Sequence, residues 1–124
     1  LPKKGNSDST RIEFRAPDPA CNPYLGFSVM LAAGLKGIEE GYPLPPEATD
    51  NIYALTDAER LAEGISALPG SLRDALDAME RSELVAEALG EHVFENFLIN
   101  KRREWTEYKA YVTPFEIDRW LGTL

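Results

Sequence analysis

Polar and apolar positions alternate along only one stretch of the chain, Ser9 to Arg15, where Ile12 and Phe14 stand between Arg11, Glu13 and Arg15. A period of two is the mark of a strand, whose successive side chains point to opposite faces. One face is then apolar and the other carries plus, minus, plus. Pro17, Asp18 and Pro19 end the pattern, and Asn22 followed by Pro23 supplies an N-cap side chain and a proline at the first helical position. The helix predicted over 22–40 is apolar nearly all round, which predicts a buried helix. Its glycines Gly26, Gly34 and Gly37 each cost about 1 kcal/mol of helix propensity relative to alanine, so close packing against a neighbouring backbone is expected to compensate.

Beyond Gly41, three prolines in "YPLPPEATDN" predict an ordered loop. A helical region is predicted over 57–112. It starts with a capping-box spacing at Thr56 and Glu59, and continues through a helix opened by Ser71 with Leu72, Leu76 and Met79 on its apolar side. Ser82 caps the next helix, which is expected to bend near Gly90. Val93, Phe94, Phe97, Leu98, Trp105, Tyr108 and Val112 recur at mostly three, four and seven, predicting one buried stripe. Thr113, Pro114 and Glu116 repeat the capping signal and open a tail helix over 113–124. The expectation is therefore an α+β unit of one N-terminal strand, 9–15, followed by about five helices. A lone strand needs a sheet, and Leu1 to Asp8 looks like a loop cut open, so a fragment is expected whose remaining strands lie upstream.

Composition narrows the classes. The 124 residues are 44% hydrophobic, enough for a core and too much for a disordered chain. A net charge of −8 opposes nucleic-acid binding, which needs a basic face. No apolar run approaches the roughly 20 residues that cross a bilayer, and no signal peptide is recognisable, so no membrane partner is expected. One cysteine, Cys21, and one histidine, His92, make no disulfide framework and no structural zinc site, and point to a reducing, cytoplasmic setting.

The charged strand face has two readings. Alternating charges commonly lie on a solvated face, where an arginine–glutamate pair contributes about 0–1 kcal/mol. They can also converge: residues two apart on a strand lie about 6.6–6.8 Å apart, so a divalent cation on Glu13 sits between two guanidinium groups. Carboxylate on metal, metal on phosphate oxygens and arginine forks on the remaining oxygens is the equipment of phosphoryl transfer.

The run "RIEFRAPDPACNPYLGFSVMLAAGLKGIEEGY" resembles the C-terminal part of the catalytic domain of bacterial type I glutamine synthetase. That family carries R-[IVL]-E-x-R, a short turn with P-D or V-D, N-P-Y-L, and an apolar helix ending in A-G-[LM]-x-G-I. The similarity continues through "NIYALTDAER", "LPGSLRDALDAMERSELVAEALGEHVFENF" and "EWTEYKAYVTPFEIDRWL". The resemblance implies that Glu13 is a ligand of Mg²⁺ or Mn²⁺, that Arg11 reaches ATP phosphates, and that Arg15 acts catalytically by binding glutamate and the γ-glutamyl phosphate formed from it. It implies a homododecamer of two six-subunit rings in the full-length enzyme, with a C-terminal helix reaching the opposite ring. It also implies a part of a ligase that uses ATP, glutamate and ammonia to make glutamine, the fragment alone being inactive. Two alternatives stay open: a relative joining glutamate to a polyamine or another amine, and a non-catalytic helical assembly module.

Several departures and competing residues bear on this reading. The lysine that some family members carry five residues before the metal glutamate is Asp8 here. Tyr53 stands where some members carry an adenylylated tyrosine, but "NIYALTDAE" lacks the diproline context, so no modification is expected. His92 is expected to be an ordinary helical histidine, Cys21 a buried structural thiol, and the basic run "NKRREWTEYK" a solvated face. Phe115, Trp120, Leu121 and Leu124 pack either on their own domain or on another subunit.

Overall fold

The computed structural model describes residues 12–48 and 51–123 of the chain, and its regular elements are helices: α1 (Pro23–Glu39), α2 (Asp57–Ala62), α3 (Leu72–Glu80), α4 (Glu83–Leu89), α5 (Glu91–Lys109) and α6 (Pro114–Trp120). Short 3-10 turns at Ile52–Ala54 and Leu121–Thr123 complete them. Among the described residues there is no strand, which corrects the expected α+β class to a helical one. Of the strand expected over 9–15, residues 9–11 lie outside the described residues, and Ile12–Arg15 form no ladder. The reason is physical: a strand is held by hydrogen bonds to a neighbour, and every regular element beside this one is a helix. The apolar side of the alternation therefore covers nothing, with Ile12 92% exposed and Phe14 61% exposed.

Local chemistry sets the helix starts. Asn22 Oδ1 accepts from the backbone N–H groups of Tyr24 at 3.0 Å and Leu25 at 3.4 Å, with Pro23 at the first position, and this begins α1. Ser71 and Ser82 cap α3 and α4 by accepting from the N–H groups of Asp74 and Val85. Thr56 with Glu59 and Thr113 with Glu116 form complete capping boxes for α2 and α6. α1 stops at Gly41, whose φ of 65° no side chain opposes; Tyr42 N–H then bonds Gly37 C=O at 3.0 Å and Gly41 N–H bonds Ile38 C=O at 3.3 Å. Gly90, at φ 73°, is a break between α4 and α5 rather than a bend within one helix.

The core lies where α3 and α4 pack on α5, with α1 laid along the other side of α4. Leu76 of α3 and Leu98 of α5 are its two buried apolar side chains, at 2% and 8% exposure. Leu72, Met79, Phe94, Phe97 and Trp105 are half-buried around them, while Tyr108 and Val112 at the end of the expected stripe are exposed. Arg102 of α5 fastens the pair: its Nη2 donates to Asp77 Oδ1 at 3.1 Å and to Glu80 Oε2 at 2.6 Å, both on α3. The helix expected to be buried over 22–40 is present as α1 but holds no buried residue, because α4 is the main element packed against it. Cys21, expected to be buried, is exposed.

Leu76→Ala removes the most enclosed side chain of a small core, and is expected to destabilise the α3–α5 unit by about 2–4 kcal/mol. A thermal melt followed by circular dichroism checks this; an unchanged midpoint would mean that the core lies elsewhere. The two capping boxes give their helix starts a local sensitivity to acid. Hydrogen bonds from the Thr56 hydroxyl and then its backbone N–H hold the Glu59 carboxyl below its ordinary 4.5, and the backbone N–H and then the hydroxyl of Thr113 do the same for Glu116. A depressed carboxyl stabilises the fold fully above its unfolded value, and that contribution is lost as pH falls through the folded value. The starts of α2 and α6 are thus expected to fray below about pH 4.5, and Glu59→Gln to remove that dependence at α2, read by carboxyl and amide NMR titration.

Candidate active-site segment

The segment leading into α1 is shaped by its own polar groups. Asp18 Oδ1 accepts from Ala20 N–H at 2.7 Å and Asp18 C=O accepts from Cys21 N–H at 2.9 Å, turning the chain between Pro17 and the Asn22 cap. This Asx turn and helix cap fix where the residues before it enter the fold. Upstream of the turn, Arg15 Nε donates to Glu13 Oε1 at 2.6 Å. Both side chains lie open to solvent, Arg15 at 84% and Glu13 at 56% exposure. Two of the three residues expected on the charged face are therefore brought into direct contact. The third, Arg11, lies outside the described residues.

That contact differs from the expected arrangement of a cation between two guanidinium groups. Without a strand to hold alternate side chains apart, and with no other charge pairing with either among the described residues, opposite charges two residues apart pair with each other. Among the described residues no three His, Cys, Asp or Glu side chains gather into a possible metal centre. Glu13 fits a hard cation as one oxygen ligand, and Mg²⁺ commonly takes one or two carboxylates with phosphates and waters filling the rest.

The other residues weighed in the sequence lie apart from this segment. His92 is exposed on α5, and its partner is Asn96, whose Nδ2 donates to His92 C=O at 2.8 Å and lies 3.5 Å from Nδ1. Tyr53 is almost fully exposed on its 3-10 turn. Within the basic run, Lys101 pairs with Glu104 at 2.6 Å, Arg103 with Glu107 at 2.8 Å, and Arg102 with α3, so the run is spent on structure.

The sequence reading missed a crevice of about 410 Å³ between α1 and α4, lined by Leu35, Lys36, Glu39, Glu40, Leu84 and Glu87 among others. Lys36 Nζ stands 3.6 Å from Glu87 and 4.0 Å from Glu40; these carboxylates, Glu87 first, raise its pKa. An ammonium already matched by carboxylates ties the two helices together and leaves little for a ligand. The Lys36–Glu40 spacing was readable in the sequence, whereas Glu87 is brought there only by helix packing.

Residues 1–120 match the model of the glutamine synthetase catalytic domain. The chain belongs to that family. Glutamine synthetases similar to it include that of Mycolicibacterium smegmatis, 60% identical over 114 residues, a match covering 92% of this chain and 26% of that protein. That of Mycobacterium tuberculosis is 60% identical over 116 residues, covering 94% of this chain and 26% of the relative. The Methanosarcina mazei enzyme is 53% identical over 122 residues, covering 98% and 27%. The chain thus spans about a quarter of the length of the curated relatives it matches. The glutamine synthetase match contains Arg11, Glu13 and Arg15 within its bounds.

With one carboxylate, itself matched by Arg15, the isolated chain is expected to show no saturable Mg²⁺ binding at millimolar concentrations by calorimetry. A stoichiometric site would mean that further oxygen ligands gather within these residues.

Proposed function

We propose that the chain is the part of an ATP-dependent glutamate–ammonia ligase that contributes Arg11, Glu13 and Arg15 to the reacting centre, and that it is inactive alone. The observation that carries this reading is 60% identity to glutamine synthetases over a match that includes nearly the whole chain. The reaction is activation of the glutamate side-chain carboxylate as γ-glutamyl phosphate, followed by displacement of phosphate by ammonia. A cytoplasmic enzyme of nitrogen assimilation is the setting that ATP and glutamate require.

The chemistry asks for compensation of negative charge while a phosphoryl group passes between two anions. A bound Mg²⁺ or Mn²⁺ supplies Lewis acidity and charge neutralisation at the phosphates. Glu13 offers it a hard oxygen, and Arg11 offers a guanidinium to the ATP phosphates. Arg15 presents a planar fork that can take two oxygens of glutamate, or of its phosphorylated form, at once. The Glu13–Arg15 contact supports this assignment, since it shows the carboxylate and the guanidinium within reach of a common point. For either group to bind a ligand, the pair must open, and a metal with a polyanion offers each a stronger partner.

The tail over 113–124 takes the assembly role in the same reading, within a dodecamer of two rings. Phe115, Trp120 and Leu121 of this tail are exposed, and α6 packs mainly on the turn that follows it, so its apolar side is open to a neighbouring subunit.

The test is a graft. The matched residues of the M. smegmatis enzyme are replaced by this chain, and glutamine formation from glutamate, ammonia and ATP is followed. Turnover is expected in the graft and none from the isolated chain. Glu13→Gln is expected to lower Mg²⁺-dependent turnover about a hundredfold or more, and Arg15→Lys to raise the KM for glutamate roughly tenfold, because a point charge cannot reproduce a fork. Full activity in the Glu13→Gln graft would overturn the metal assignment.

A further inference from the structure

Between Arg15 and α1 the chain carries Pro17, Pro19 and Pro23, and two short side chains with an acceptor oxygen, Asp18 and Asn22. Each proline fixes its own φ and keeps the residue before it out of the helical region, so Ala16, Asp18 and Asn22 are all biased to extended backbone. Asn22 shows this, at φ −68° and ψ 114°. Asp18 and Pro19 then open a β-turn, in which Asp18 C=O accepts from Cys21 N–H at 2.9 Å. Aspartate at the first position and proline at the second are what such a turn favours. The Asp18 side chain closes a second ring inside the same turn, its Oδ1 accepting from Ala20 N–H at 2.7 Å. Asn22 Oδ1 continues the series by taking the N–H groups of Tyr24 and Leu25. The link from the charged segment to α1 is therefore stiff, and α1 is itself packed on α4.

Two observations single out Asp18 within that link. Asn22 serves a helix start, as Ser71 and Ser82 do elsewhere, whereas Asp18 begins no helix and its hydrogen bond only aims the chain. Its carboxylate also pairs with no cation among the described residues, Arg15 being taken by Glu13. On the catalytic reading, Arg15 receives the oxygens of glutamate or of its phosphorylated form. A carboxylate turned toward that ligand from three positions away would repel it. Spent on a backbone N–H, the same carboxylate is directed at the turn.

We propose that Asp18 is a positioning residue for Arg15: by accepting from Ala20 N–H it fixes the direction in which the Arg15 segment leaves α1, and it does so as a hydrogen-bond acceptor, not as a charge. The inference deepens the catalytic reading and rests on it. Misplacing a substrate-positioning group by about 1 Å costs up to about a hundredfold in rate, so one hydrogen bond in an exposed turn can matter more to turnover than to stability. The turn is no part of the Leu76–Leu98 core, and its loss leaves that core intact.

The experiment uses the graft described above, with the unaltered chain as reference. Asp18→Ala removes the acceptor. Asp18→Asn keeps an oxygen in the same place without the charge. Asp18→Glu keeps the charge on a longer arm that does not close the same ring. Asp18→Ala and Asp18→Glu are both expected to raise the KM for glutamate about tenfold, with the KM for ATP within about twofold. Asp18→Asn is expected to stay within about twofold of the reference, because asparagine forms the same turn. The thermal midpoint is expected to stay level in all three, and a midpoint that falls in step with activity overturns the proposal.

A cycle with Arg15→Lys asks whether Asp18 acts through that arginine. In the Arg15→Lys background Asp18→Ala is expected to add less than about twofold, and a full further tenfold loss overturns the proposal. An unaltered graft without turnover sinks the catalytic reading and this inference with it, whereas an active graft indifferent to Asp18→Ala sinks this inference alone. So does an Asp18→Asn graft that loses as much as Asp18→Ala, or one that Asp18→Glu leaves unimpaired, since charge would then be what counts.

Discussion

Helices with no sheet to lie on must bury their apolar sides on one another, and among the described residues there are too few of them to do so. Leu76 and Leu98 are buried where α3 packs on α5, and Arg102 clamps the two helices through Asp77 and Glu80. α4 fits against both helices, with Ser82 and Gly90 at its ends, and α1 packs mainly on α4. Each step outward from Leu76 exposes more apolar surface. At α1 and α6 the large side chains face water. Charged pairs such as Lys36–Glu87 span the outer seams but, being solvated, contribute orientation more than free energy.

The legibility of the sequence follows the range of the interactions. Helix starts were readable at Asn22, Thr56, Ser71, Ser82 and Thr113 because a cap is chemistry between residues two or three apart, and the structure forms all five. The centre of the predicted stripe at Phe94, Phe97, Leu98 and Trp105 was readable for the same reason: one helix turn brings such residues together. What failed was non-local. The alternation from Arg11 to Arg15 is a real period of two, but a strand is a relation between two segments and the second segment is not among the described residues. The all-round apolarity of α1 states that the helix can be buried, and what would cover it is likewise non-local: within this chain it holds no buried residue. Cys21 failed likewise: its place beside the Asn22 cap was local and legible, whereas its burial depended on neighbours.

The candidate site shows the same division. Residue types and spacing identified Glu13 and Arg15 as partners in charge, and the structure puts them 2.6 Å apart. No spacing rule could say that they would turn to each other rather than stand apart around a third charge. Whether such a pair closes depends on what else competes for each group. On this exposed segment, with no third charge on either group among the described residues, the pair is closed.

That competition links fold to chemistry. A carboxylate paired with an arginine is a poor metal ligand, and an arginine paired with a carboxylate is a poor phosphate ligand, so the segment as it stands is electrostatically satisfied. On the reading proposed above, a metal for Glu13 and the anionic oxygens of glutamate or its phosphorylated form for Arg15 would together exchange one internal contact for two external ones. Either half alone would leave one member of the pair without a partner. On that reading the pair would favour a metal–polyanion complex over either ion alone. That preference would come from opposite charges two residues apart, Glu13 and Arg15, before any surrounding pocket adds its own contacts.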